Sequence, residues 1–173
     1  MRKIFLCLSL VSFLTFQNTL AIGDDSTKKA SSLPAVLVKD LNGQSINFAD
    51  FAGNGQITVV SFFATWCKPC LVELVNIDNV YEEWQKKYNM RLIAVSVDDS
   101  RTIAKVKPFV TSKGWTYDVL IDTNSDLRRA MNVTNPPTTF LLDKAGNIVF
   151  THTGYLEGDE NELEEKIAAL VGK

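Results

Sequence analysis

Residues 56 to 70, QITVVSFFATWCKPC, restrict the fold more than any other stretch of the chain. The apolar run over 56 to 64 is rich in β-branched and aromatic side chains and too short for a buried helix, so it reads as a central strand. A helical pattern follows directly. Cys70, Leu74, Ile77, Tyr81, Trp84 and Tyr88 recur at steps of three or four and form one face of an amphipathic helix. Lys86 and Lys87 suit its C-terminal end, where the helix dipole favours positive charge. Two cysteines, Cys67 and Cys70, therefore sit where a buried strand turns into a helix.

The other segments are arranged around that unit. AVLVKDLNGQSINF, 35 to 48, places two extended runs on either side of Asn42-Gly43, a hairpin signal. GNG at 53 to 55 punctuates the chain before the central strand. RLIAVSV, 91 to 97, reads as a second buried strand, with Asp98 to Ser100 as a cap for a helix over about 101 to 113 in which Pro108 marks a kink or a restart. YDVLID is a strand and SDLRRAM a short helix. TTFLLD and NIVFTHT flank Lys144-Ala145-Gly146 and predict a second hairpin. Asp159 with Glu162 resembles a capping box, and Leu163, Ile167 and Leu170 stripe a final helix. Strands alternating with helices, then a hairpin and one helix, imply an α/β sandwich: a central mixed β-sheet flanked by helices, with an N-terminal hairpin extension. One domain over 33 to 173 accounts for the pattern.

Residues 1 to 21 have a different character. Arg2 and Lys3 precede an apolar stretch from Ile4 to Phe16, and Thr19-Leu20-Ala21 offers small residues for a peptidase. This pattern predicts a secretory signal cleaved near Ala21. A membrane anchor is the alternative, but Gln17 and Asn18 interrupt the run before the ~18 apolar residues that a spanning helix needs. Cys7 lies inside the run instead of after it, which argues against lipid modification. Residues 22 to 32, IGDDSTKKASS, read as a flexible leader. Hydrophobic residues make up 46% of the chain and the net charge is −2, so a globular protein is expected and a nucleic-acid binder is not. No heptad seam is present, and the expected state is a monomer.

After cleavage only Cys67 and Cys70 remain. As a staple the pair would close a very short loop and constrain little. A structural zinc site needs about four ligands. The single histidine, His152, reads as a half-exposed strand residue, so no metal is expected. Redox chemistry suits the position. Unpaired N–H groups at a helix N-terminus favour negative charge and stabilise a thiolate at Cys67. Cys70, one turn on, faces inward with Leu74 and Ile77. Pro69 falls in the first turn, where its missing N–H costs little.

The segments LVKDLNG, ATWCKPC and PTTFLLDKAGNIV, together with the secretory signal, resemble the thioredoxin superfamily, and within it the exported disulfide reductases of the TlpA and ResA type. The resemblance covers roughly Leu33 to Val171. It implies a thioredoxin-like sandwich and a thiol–disulfide oxidoreductase in which Cys67 attacks, Cys70 resolves and no cofactor takes part. It further implies that Pro137, before Thr138-Thr139-Phe140, is cis and lies against the cysteines. Glu73 matches the family's proton-transferring glutamate; on its own residues it reads equally as a solvated helix glutamate. Trp66 belongs to the substrate surface or to ordinary packing.

Three positions depart from the pattern. Ser61 replaces thioredoxin's buried aspartate, Val75 stands where the reductases often have proline, and Pro136 can offer a bound peptide only its carbonyl. The implied partners are proteins with dithiols or disulfides and a membrane or periplasmic electron donor. The implied location is the periplasm and the implied direction is net reduction. Two rival functions are a thiol peroxidase and a non-enzymatic copper or haem-protein maturation chaperone. Against the peroxidase, Ala64 stands where peroxiredoxins carry threonine.

Overall fold

The computed structural model describes residues 33–172. The expected signal, its cleavage point near Ala21 and the leader lie outside the described residues. Seven strands form one sheet: β1 (Leu37–Asp40), β2 (Ser45–Asn47), β3 (Ile57–Phe63), β4 (Met90–Ser96), β5 (Asp118–Ile121), β6 (Thr138–Leu142) and β7 (Ile148–Thr153). Their order is β2-β1-β5-β4-β3-β6-β7. β3 runs parallel to β4, and β4 to β5; all other neighbours are antiparallel. The N-terminal hairpin thus extends the central sheet through β1 and β5. Every residue of β3 is buried, which explains its unbroken apolar run: it has strands on both sides and layers on both faces. β7, at the sheet edge, alternates half-buried and exposed positions.

Among the described residues, four α-helices accompany the sheet: α1 (Lys68–Tyr88), α2 (Val106–Lys113), α3 (Asp126–Ala130) and α4 (Asp159–Ala168). All six residues of the predicted α1 stripe are buried. α1 runs 21 residues without interruption, in keeping with Val75 in place of proline, and ends at Asn89 in the left-handed region with φ 50°. α1 and α4 lie side by side, tied by the Tyr88 hydroxyl donating to Glu164 at 2.6 Å. Phe63, Trp115, Tyr117 and Tyr81 form a chain of rings with centroids 5.1–5.9 Å apart, which locks the end of β3 to α1 and to the segment before β5. Among the described residues, no helix is long and apolar enough to cross a membrane.

Two predicted caps differ. The segment after β4 enters a 3-10 turn, Ile103–Lys105, before α2, and no side chain caps either. Within the expected cap, Asp99 accepts the Arg101 N–H at 2.9 Å, in the turn ahead of these segments, whereas Asp98 is drawn inward by hydrogen bonds to Thr65. Pro108 sits in the first turn of α2, where no intrahelical N–H is needed. Asp159 is the first helical residue of α4, not its cap; Gly158 caps, with φ 103°. The Asp159 carboxylate accepts from Leu156 N–H at 2.7 Å and pairs with His152, while Glu162 pairs with Lys166.

Candidate active site

The parallel strands β3, β4 and β5 end at one edge of the sheet, and antiparallel β6 begins there. In an open α/β sheet this carboxyl edge is where ligands and reactive groups gather. Cys67 is the N-cap of α1, in an extended conformation, and its Sγ accepts the Cys70 N–H at 3.4 Å. No acidic residue lies in the first turn, so nothing offsets the positive end of the helix dipole. Cys67 and Cys70 are joined as a disulfide, with Cα atoms 5.4 Å apart. Cys67 retains 6% exposure and Cys70 none, so of the two residues only Cys67 reaches solvent at all.

Trp66, 59% exposed, stands beside Cys67 on the surface. The Pro136–Pro137 peptide bond is cis; Pro136 is half-buried and Pro137 buried. Thr138, next in the chain, pairs with Phe62 of β3, which brings both prolines to the edge that carries the cysteines. The segment before them is fastened from α3. Arg128 donates to the carbonyls of Val133, at 3.0 Å, and Thr134, and the Asp122 carboxylate accepts the Leu127 and Arg128 N–H groups.

Glu73 comes from the next turn of α1 after Cys70 and is only 4% exposed, so it is not a solvated helix glutamate. Its two carboxylate oxygens accept from Ser61 Oγ at 2.8 Å and Thr139 Oγ1 at 2.7 Å. Burial pushes its carboxyl above the ordinary value, and the hydroxyls of Thr139 and Ser61 pull part of the way back. Ser61, the residue that departs from thioredoxin's aspartate, is therefore the donor that seats a carboxylate arriving from α1. His152 is half-buried and pairs with Asp159 at 3.1 Å. Among the described residues, no group of three or more His, Cys, Asp or Glu side chains is placed to hold a metal ion.

Sequence reasoning missed Asp98 and Thr139. Asp98 is fully buried and accepts from Thr65 N–H at 2.8 Å, Thr65 Oγ1 at 2.6 Å and Ser96 Oγ at 2.9 Å. It joins the end of β4 to the loop that delivers Cys67. An acidic residue directly after an apolar strand was the available signal, as was a hydroxyl inside the apolar run of β6 for Thr139. Replacing Asp98 with alanine leaves the Thr65 donors unpaired, and the expected loss of unfolding free energy is about 2–3 kcal/mol. Urea titration checks this: the midpoint falls at unchanged slope, and an unmoved midpoint refutes the assigned role.

A closed CxxC disulfide at a helix N-terminus, on a sheet of this order, defines a thioredoxin-like thiol–disulfide redox protein. The chain belongs to the AhpC/TSA family, which it matches over residues 30–151. The thiol-disulfide oxidoreductase ResA of Bacillus subtilis (strain 168) is 32% identical over 140 residues, covering 81% of this chain and 75% of the relative. An uncharacterized thioredoxin-like protein from Porphyromonas gingivalis has a solution structure that superposes with a TM-score of 0.73 at 47% identity, over 82% of this chain and 92% of that one. The crystal structure of a putative thiol:disulfide interchange protein DsbE from Chlorobium tepidum shares the fold, with a TM-score of 0.70 at 24% identity, over 81% of this chain and 95% of that one.

Proposed function

We propose that this thiol–disulfide oxidoreductase reduces disulfides of exported proteins. The observation that carries the reading is the unequal burial of a bonded cysteine pair, one residue capping a helix N-terminus with a little exposure and the other fully buried behind it. In the reduced protein the Cys67 thiolate attacks a target disulfide. That S–S bond breaks, one target thiolate leaves and takes a proton from water, and a mixed disulfide forms. Cys70 then gives its proton to Glu73 and attacks Cys67 Sγ. The Cys67–Cys70 bond forms, the second target thiolate departs and is protonated, and two electrons have passed to the target. No cofactor is required.

Trp66, Pro136 and Pro137 form the rim on which the target chain rests. Pro136 has no N–H, so the target finds one backbone acceptor there and one hydrogen bond fewer, a net difference of about 0.5–1.5 kcal/mol. Export to the periplasm rests on Arg2, Lys3 and the apolar stretch that follows. A membrane or periplasmic dithiol protein restores the reduced state, and the enzyme works as a monomer. The peroxidase alternative is disfavoured by Ala64 and by Thr65, whose hydroxyl is already committed to Asp98.

The direction is tested by equilibrating the protein in glutathione buffers. A reductase is expected to have a potential nearer the ~−270 mV of thioredoxin than the ~−120 mV of a strong oxidant. A value at the oxidising end would reassign the protein to disulfide formation.

A further inference from the structure

We propose that His152, with Asp159, is a rear exit for the proton that Glu73 takes from Cys70, used while a target chain covers the front of the site. This rests on the reading of Glu73 as the proton acceptor. Ser61, Thr139 and His152 are register partners across β3, β6 and β7. Side chains directly opposite one another on antiparallel strands share a face and lie in contact range. Glu73 reaches down onto that row and bonds the first two hydroxyls; the third member is His152, the only histidine in the chain.

Between them lies a cavity of about 20 Å³, with Glu73, Thr139, His152, Tyr155 and acids of α4 in its wall beside the apolar Ile77, Phe150 and Leu163. A space of that size holds about one water molecule, and Glu73 and His152 in its wall offer such a water polar partners. His152 and Asp159 keep 36% and 28% of their side-chain surface in solvent. Glu73 and Cys70, by contrast, have almost no surface of their own. His152 and Asp159 also act on Glu73 electrostatically, through space.

A bound target lies over Cys67, Trp66 and the two prolines, and so closes the short way out. Cys70 must nonetheless give up its proton, through Glu73, while the target is still attached. An imidazole can take a proton at one ring nitrogen and release one at the other. The proton passes from Cys70 Sγ to the Glu73 carboxylate, across the cavity to His152, and to solvent. The departing target thiolate takes an equivalent proton from solvent, so the exchange balances.

Single-turnover resolution of the mixed disulfide tests the route with two substrates: a cystine-bridged peptide, which covers the front, and dithiobis(nitrobenzoate), which leaves it open. His152→Gln is expected to slow the peptide reaction on the order of tenfold, to change its pH profile, and to slow the small disulfide distinctly less. Asp159→Asn keeps the imidazole and its hydrogen-bonding partner and should act in the same sense, so the test stands even if His152→Gln disturbs the fold. Glu73→Gln should slow both substrates. If Glu73→Gln slows both and neither His152→Gln nor Asp159→Asn is selective for the peptide, the rear exit is wrong and the role of Glu73 survives. If Glu73→Gln slows neither, both readings fall. Equal slowing of the two substrates by His152→Gln also overturns the exit, because it points to support of the sheet alone.

Discussion

Cells that express the Cys70→Ser protein should accumulate covalent adducts through Cys67 that dithiothreitol releases, whereas Cys67→Ser should trap none. The first variant can still attack a target disulfide but has no neighbour to resolve the mixed disulfide. The second lacks the one cysteine of the pair that reaches solvent. Multiple-turnover reduction should be lost in both. This division of roles requires Cys67 to be the ionised thiol in the reduced protein. A thiol at pKa ~8.5 is about 3% thiolate at pH 7, and one at ~7 is about half thiolate, a gain near 15-fold. Lower basicity weakens each thiolate by about fivefold at a Brønsted slope of ~0.4–0.5, so the net gain is roughly threefold. The helix end is well placed to supply that shift, since Cys67 is the N-cap and the first turn carries no acid. Equal trapping by the two variants, measured by diagonal gel electrophoresis, would contradict the division of labour.

The helix and strand pattern around the cysteines was legible because it is local. A buried strand writes its burial into every residue, as in β3, and a 3.6-residue stripe writes one face of α1. The caps were less legible. Asp159 and Glu162 have capping-box spacing, but Asp159 is claimed by Leu156 N–H and His152, and the backbone turns at Gly158 instead. Asp98 is similarly taken by Thr65, 33 positions earlier in the chain. Glu73 shows the same limit at the site. Its spacing from Cys70 could be read directly, yet its environment comes from Ser61 and Thr139, 12 and 66 positions away. Only strand register could bring those hydroxyls together, and register is set by the sheet as a whole.

Glu73→Gln should slow resolution of the mixed disulfide on the order of a hundredfold, the usual scale for losing a positioned proton acceptor, while trapping through Cys67 persists. The amide has the size of the carboxyl, and the Ser61 and Thr139 hydroxyls can each turn to donate or accept, so the site can keep its shape. A second consequence follows from linkage. Burial raises the folded-state carboxyl above its ordinary value of 4.5. Between the ordinary and the raised value the folded chain holds the proton that the unfolded chain has released. Wild-type stability therefore falls as pH rises through that window, and the cost of ionising a buried carboxyl remains above it. Glutamine cannot ionise. The variant's stability relative to wild type should thus be greater at neutral pH than in acid, and the difference should level off below the ordinary carboxyl range. Denaturant midpoints measured for both proteins across acid to neutral pH test this. Parallel curves would mean that Glu73 titrates like a solvated carboxyl, and unchanged resolution kinetics would remove it from proton transfer, leaving Cys70 to lose its proton by another path.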